Sequence, residues 1–275
     1  MADLITEAVA ARLRAVGAHA VPEDLYAAAG STFYERLVGS DRAEIREVLA
    51  LARKTEGPIL DLAAGSGRLT IPLVRSGRRV IALDLSADML ALVRHVLPGE
   101  SAVECVVADM RDFTLARRFR LVILGATSLT LLNGEDRAAL YAAVRRHLAP
   151  GGLFAFTLAG AIAEAELRVT RTEKIWVPGP DGAERYLFSQ QIEDDGSARL
   201  VNWLRADDLV PGGRVTVFTS RLQVLGLDEI CREIADAGFE EPNVSPVRSP
   251  QGADIVMVTT SAVSSTTIAA DDAVA

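Results

Sequence analysis

The run Pro58-Ile59-Leu60-Asp61-Leu62-Ala63-Ala64-Gly65-Ser66-Gly67-Arg68 decides the reading of this chain. An apolar strand ends in a loop of small residues, and a helical pattern opens after it. Glycines at 65 and 67 permit positive φ and a close approach of a ligand to the backbone. A helix N-terminus adds unpaired amides and the positive end of a dipole. In open α/β sheets, ligands bind in the crevice at the carboxyl ends of the strands. A tight strand–helix turn without a ligand has the same local signature, so the surrounding sequence must decide.

Downstream, buried strands at 79–83, 102–107, 121–125 and 153–158 alternate with helices that begin at Gly67 and Ser86 and span 135–147. That alternation predicts a parallel sheet covered on both faces and joined by right-handed crossovers, a doubly wound α/β domain. Upstream, Leu4, Ile5, Val9, Leu13 and Val16 recur at helical spacing. A loop containing Pro22 follows, then a short helix with Phe33, Tyr34, Leu37 and Val38 that Ser31 is placed to cap. Asp41-Arg42-Ala43-Glu44 has the form of a capping box ahead of a helix through Ile45, Val48, Leu49 and Ala52. Beyond the core, strands at 167–177, 183–192, 198–205 and 214–224 read as a meander separated by Gly-, Pro- and Asp-rich turns. A helix over 227–237 and an apolar strand over 253–259 close the pattern. The expected division is an N-terminal helical cap at 1–56, an α/β core at 57–160 and 214–260, an antiparallel lid at 161–213, and a disordered tail at 261–275.

Composition narrows the function. Of 275 residues, 49% are hydrophobic, which excludes intrinsic disorder. No window reaches the ~18 apolar residues of a membrane span. The N-terminal stretch carries Asp3, Glu7, Arg12 and Arg14, unlike a signal peptide, so the expected location is the cytoplasm. The net charge of −8 disfavours nucleic acid as a partner. Cys105 and Cys231 give neither a disulfide framework nor a metal-ligand spacing, so no metal is expected.

The glycine loop itself excludes two common ligands. Gly65-Ser66-Gly67-Arg68-Leu69-Thr70 lacks the last glycine of a dinucleotide fingerprint, and no Gly-Lys-Ser/Thr ending marks a phosphate loop. Asp84 ends the next strand, where a carboxylate can accept both hydroxyls of a ribose or stand as a solvated acid. Asp109 ends the third strand, placed either to accept from an adenine amino group or to form a turn.

Taken together, Asp61-Leu62-Ala63-Ala64-Gly65-Ser66-Gly67, Asp84 with Ser86 and Met89, Ala108-Asp109-Met110, and His147-Leu148-Ala149-Pro150-Gly151-Gly152 resemble the ordered motifs of class I S-adenosylmethionine-dependent methyltransferases. The resemblance covers residues 30–260. It implies a Rossmann-like, doubly wound sheet of seven strands, the last antiparallel, with S-adenosylmethionine as cofactor and S-adenosylhomocysteine as product. Asp61, Ala63, Gly65 and Gly67 would hold the methionine end, Ala63 replacing a frequent glycine. Asp84 would hold the ribose, and Met89, Asp109 and Met110 would frame the adenine. Leu85 and Gly125 belong to the same implied set. Tyr34 followed by Glu35 resembles the family's Tyr-Asp element that reaches the cofactor.

The resemblance leaves the acceptor open. His95 and His147 fall near helix ends far from the ligand side, and His19 lies in the N-terminal cap. An acceptor that needs no histidine base, an amine, is therefore favoured over a phenol or alcohol, with Tyr34, His19 and Thr127 as the catalytic candidates. The loop Gly125-Ala126-Thr127-Ser128-Leu129 lacks the Asn-Pro-Pro-Tyr/Phe run of nucleic-acid base methylation. Residues 161–210 hold ten acids against six bases, half of the excess charge; this attracts a cationic amine or simply solvates hairpin edges. Tyr186 and Phe188 share one strand face and Trp203 lies on the next strand; with Tyr26 they either wall a substrate pocket or pack the lid on the domain. The chain is similar to methyltransferases of bacterial natural-product pathways. Daptide-type enzymes, which methylate a terminal amine of a ribosomal peptide, give the leading expectation, and aminosugar N-methyltransferases the alternative. A nicotinamide-dependent oxidoreductase and a non-enzymatic binding module are the remaining readings. The first is opposed by Thr70 and by the absence of a Tyr-x-x-x-Lys pair.

Overall fold

The computed structural model describes residues 4–39, 42–248, 252 and 254–263. From the N-terminus, α1 (Glu7–Val16), β1 (His19–Asp24), α2 (Ala28–Val38) and α3 (Ile45–Arg53) lead into the core. There β2 (Ile59–Leu62), α4 (Thr70–Arg75), β3 (Val80–Asp84), α5 (Ala87–Val96), β4 (Val103–Val107), β5 (Phe119–Leu124), α6 (Gly134–His147) and β6 (Leu148–Ala159) follow. Next come α7 (Ala161–Leu167), β7 (Arg171–Gly179), β8 (Gly182–Ile192), β9 (Ala198–Arg205) and β10 (Arg214–Gln223), then α8 (Leu227–Asp236), β11 (Asn243–Pro246) and β12 (Ile255–Ser261).

The central sheet has seven strands in the order β11-β12-β6-β5-β2-β3-β4. Strands β2 to β6 run parallel, and β12 lies antiparallel to β6, as the resemblance implied. Both faces are covered, so β2 buries every residue. Val48 and Ala52 of α3 and Leu73 and Val74 of α4 pack on one face. Leu140 and Val144 of α6 and Ile230 and Ile234 of α8 pack on the other. Each fully buried Leu or Ile contributes about 1.5–3 kcal/mol, so the two apolar layers dominate the stability of this half.

A second sheet of five strands, β1-β10-β9-β8-β7, stands over the carboxyl ends of the first through α2. Its strands alternate strictly. Leu187, Leu204, Val215 and Val217 face Val9 and Leu13 of α1. Tyr186, Phe188, Val201, Trp203 and Phe218 face Phe33 of α2. The buried polar groups on the α1 side are mutually satisfied: the Thr6 amide donates to Asn202 Oδ1 (2.7 Å), and Asn202 Nδ2 donates to the Leu4 carbonyl (2.8 Å).

Several expectations are corrected. Residues 19–24 form a strand, not a loop: Pro22 sits on the sheet edge, where its missing N–H costs no ladder bond. The cap is therefore not wholly helical. Strand β10 belongs to the lid sheet rather than to the core, because β9 and β1 pair with it on its two sides. Residues 161–167, Ala-Ile-Ala-Glu-Ala-Glu-Leu, are strong helix formers and make α7, so the first lid strand starts only at Arg171. The late strand reaches Ser261, and Ala262 still bridges to Phe239; residues 264–275 of the expected tail lie outside the described residues. Asp41 of the capping box also lies outside them. Glu44 caps nothing: it adopts φ 58° and turns its carboxylate inward.

Candidate functional site

Behind β2 the backbone enters the left-handed region three times, at Ala63 (φ 49°), Gly65 (φ 55°) and Gly67 (φ 91°). This loop delays helix α4 to Thr70 rather than Gly67. A Cβ on Gly67 would lie 3.0 Å from Val93 Cγ2, so any other residue there, already strained by the positive φ, would also crowd α5. Around Gly65 nothing lies within 4 Å of such a Cβ. Asp84 fixes the loop from the next strand: Oδ2 accepts from the Gly65 amide and Oδ1 from the Ser86 amide, both at 2.8 Å. Each oxygen keeps a further lone pair for a ligand hydroxyl. Ser86 in turn caps α5 by accepting from the Met89 amide at 3.3 Å. Beneath the loop, Asp61 is buried and accepts from Thr70 Oγ1 at 2.5 Å. Burial pushes its carboxyl up to about 7, against the lowering effect of that hydrogen bond.

The loop borders a cavity of about 780 Å³, well within the range of small-molecule sites. Every residue expected on the cofactor lines it: Tyr34, Asp61, Ala63, Gly65, Gly67, Asp84, Leu85, Met89, Asp109, Met110 and Gly125. A mostly apolar cavity with the glycine-loop backbone and the strand-end carboxylates of Asp84 and Asp109 in its lining fits the donor–acceptor pattern of S-adenosylmethionine. Asp109 holds a surprise. Arg111 Nε bonds both its oxygens at 3.0 Å and Arg111 Nη1 reaches Asp136 at 2.7 Å, and the guanidinium hydrogen bonds keep the Asp109 carboxyl below its usual range. Any adenine amino group must share that carboxylate with Arg111.

Helix α2 forms the roof. Tyr34 meets Tyr26 edge-on, ring centroids 5.0 Å apart, and both line the cavity beside Asp24 and Glu35. Glu35 accepts from Ser66 Oγ, tying the roof to the glycine loop. Sequence reasoning missed Glu44, which is 2% exposed. Its Oε1 accepts from the Ala126 amide (2.8 Å) and pairs with Arg68, whose Nη1 also donates to the Ala43 carbonyl (2.9 Å). A Cβ on Gly125 would collide with that carboxylate at 2.7 Å. The pairing joins the α2–α3 connection to the loop after β5, and no local spacing signals it.

The other candidates fall outside the cavity lining. Tyr186, Phe188 and Trp203 cluster behind Phe33, at 4.6 Å for Phe33–Tyr186 and 4.8 Å for Phe188–Trp203, so they pack the lid on α2. Thr127 donates its amide to Thr157 Oγ1 at 3.1 Å. His19 is exposed at the start of β1, and His95 is exposed near the end of α5. His147 is buried: Nε2 accepts from the Leu115 amide (3.0 Å), which leaves the proton on Nδ1 to bond the Ala143 carbonyl (2.8 Å). The lid acids Glu164, Glu173, Glu184, Glu193 and Asp207 are each ion-paired with an arginine, two of them (Arg36 and Arg221) from outside residues 161–210, so the segment's charge is partly compensated locally. Among the described residues no cluster of His, Cys, Asp and Glu is arranged to hold a metal, and no helix is long and apolar enough to cross a membrane.

Comparison with known proteins agrees with this geometry. A family described as "Methyltransferase domain" matches residues 59–152. A trans-aconitate 2-methyltransferase of Azoarcus sp. (strain BH72) is 34% identical over 180 residues, which are 56% of this chain and 68% of that protein. The cypemycin N-terminal methyltransferase of a Streptomyces species is 34% identical over 95 residues, 34% of this chain; the match spans only 38% of that relative's length. Among solved structures, the glycopeptide N-methyltransferase MtfA in complex with S-adenosylhomocysteine superposes with a TM-score of 0.63 at 29% identity, covering 94% of this chain and 98% of that one.

Proposed function

The chain belongs to the class I S-adenosylmethionine-dependent methyltransferases, and from that premise we propose that it methylates an amine nitrogen of a natural product, the terminal amine of a peptide above all. The observation that carries the reading is the acceptor end of the cavity. Tyr26 and Tyr34, in edge-on contact, line the cavity together with the carboxylates of Asp24 and Glu35, and no histidine lines it. Such a site attracts a cationic amine through ring quadrupoles and negative charge. It offers no base of the strength an alcohol or phenol would need. The likeness to a peptide and a glycopeptide N-methyltransferase supports the same reading.

When bound, S-adenosylmethionine supplies a methyl group activated on a sulfonium. The chain's part is alignment. The glycine loop, held by Asp84, offers open amides to the methionine end. Tyr34 and Glu35 line the cavity from helix α2, with Glu35 tied to the loop through Ser66. An acceptor amine would be held in its free-base form beside Tyr26 and Tyr34, and the exposed carboxylate of Asp24, on the same wall, would receive the proton that the methylated nitrogen sheds. Holding two reactants in line is worth about 7–11 kcal/mol of barrier, which dispenses with a dedicated base.

The test is turnover with labelled donor across peptides bearing a free terminal amine, aminosugars, phenols and carboxylic acids, with the methylated atom located by fragmentation mass spectrometry. Label on nitrogen is expected. Label on oxygen while the amines stay unmodified overturns the reading.

A further inference from the structure

The loop after β5 is both strained and braced. Ala126 and Thr127 each adopt φ 54°, a region that is costly for alanine and more so for a β-branched threonine. Such strain persists only where the surroundings over-determine it. Here the braces come from two buried side chains. The Ala126 amide donates to Glu44 Oε1 at 2.8 Å, and the Thr127 amide donates to Thr157 Oγ1 at 3.1 Å. The Gly125 carbonyl accepts from the Ser128 amide at 3.0 Å, and the Thr127 carbonyl accepts from the amide and hydroxyl of Thr130 at 3.0 and 2.9 Å. A backbone carbonyl needs a donor as much as an amide needs an acceptor. One is left over in this turn: no described group donates to the Ala126 carbonyl. Its direction follows from the brace. The peptide bond is trans, so the Ala126 C=O lies opposite the Thr127 N–H. That N–H points at Thr157 on β6. The carbonyl therefore points away from β6, toward the side of β5 on which β2 and the glycine loop lie. Ala126 is exposed there and lines the cavity together with Tyr26, Tyr34 and Ser128.

We infer that the Ala126 carbonyl accepts a hydrogen bond from an N–H of the acceptor amine, with Thr157 and Glu44 as the positioning residues that hold it in place. A primary amine has N–H groups to give and a single lone pair. Giving one N–H to the carbonyl turns the lone pair away from it, into the cavity. A nitrogen that gains a fourth bond gains positive charge, and its N–H becomes a stronger donor. The contact therefore tightens as the reaction proceeds, which is the kind of interaction that raises kcat rather than only lowering KM. This rests on the amine reading above and adds to it the group that meets the nitrogen.

Ala126-Thr127 is the single Ala-Thr pair in the chain. Protein made with alanine labelled at the carbonyl carbon and threonine labelled at the amide nitrogen therefore gives one carbonyl–amide NMR correlation, from this peptide unit alone. With S-adenosylhomocysteine bound, methylammonium is expected to shift that carbonyl resonance. Tetramethylammonium, of the same charge but without an N–H, is expected to leave it in place. A shift with both ions or with neither overturns the inference. Turnover is then measured with pentaalanine and with glucosamine, each bearing no, one or two methyl groups on the amine. The forms that keep an N–H are expected to be methylated and the tertiary amines to stay untouched; a quaternary product overturns the inference. Thr157→Val keeps the side chain's shape and loses the acceptor for Thr127. Its kcat is expected to fall about 10- to 100-fold while KM for S-adenosylmethionine holds, and Thr157→Ser, which keeps the hydroxyl, to recover most of the loss. Full activity in Thr157→Val, or no recovery in Thr157→Ser, overturns the positioning role. If no amine is methylated and methylammonium alone still shifts the carbonyl, the site stands and the failure falls on the amine reading.

Discussion

Asp84→Asn tests the hinge on which the cofactor reading turns. Asn is isosteric, so packing is preserved. One carboxylate oxygen becomes an NH2 group, and whichever way the amide turns, that group faces an N–H, of Gly65 or of Ser86, now 2.8 Å from an acceptor. One charge-assisted hydrogen bond is lost, worth about 1.5–3 kcal/mol when shielded. Asp84 is half-exposed, so about 1–2 kcal/mol is the realistic loss to the ligand-free fold. For a chain of this size that lowers Tm by roughly 2–8 °C. If Asp84 also receives the ribose hydroxyls, affinity for S-adenosylhomocysteine falls further, by about 10- to 150-fold for a contact of that class. Calorimetry with S-adenosylhomocysteine and with adenosine, beside melts without ligand, separates the two effects. An affinity within twofold of wild type refutes the ribose role, and an unchanged melt refutes the anchoring of the loop.

The other expectations follow from the same loop and its neighbours. Gly67→Ala should destabilise by about 1–3 kcal/mol, since it combines φ 91° with a Cβ 3.0 Å from Val93, whereas Ala63→Gly should be near neutral because relief of its positive φ offsets the added chain entropy; urea titrations that rank them the other way reject the strain argument. Asp61 has its carboxyl raised by burial from 3.8 to about 7, so its contribution to stability is fully present below about pH 4 and is lost as pH rises through about 7. Asp61→Asn should flatten that decline, and parallel unfolding profiles for the two proteins between pH 4 and 8 contradict it. Glu44→Gln leaves Arg68 without its buried partner and should cost about 3–5 kcal/mol, part of it restored in Glu44→Gln/Arg68→Met; a double variant weaker than the single one defeats the pairing.

The core was legible because its signals are local. Ile59 to Leu62, the small-residue loop and the strand-end acids Asp84 and Asp109 all announce themselves within a few residues. What escaped depends on partners distant in sequence. Residues 19–24 look like a loop because Pro22 breaks strand propensity, and only pairing with β10 makes them a strand. Glu44 has the spacing of a capping residue, yet its positive φ sends the side chain to Arg68 and Ala126 instead. Tyr186, Phe188 and Trp203 alternate as a pocket wall would, and so does any strand face packed on a helix; Phe33 decides between them.

The parallel pairing of β1 with β10 also sets a timetable. The partners of residues 19–24 lie about 200 residues further along the chain. At ribosomal speeds of about 5–20 residues per second, the N-terminal segment waits roughly 10–40 s before its sheet exists. During that interval Val9, Leu13 and Phe33 have no surface to cover, and an unpaired strand edge is free to find the wrong neighbour. Residues 7–24 thus leave the ribosome long before the strand they settle against, and yield in a heterologous host should respond to slower synthesis, lower temperature and chaperone supply before it responds to any change in the cofactor site.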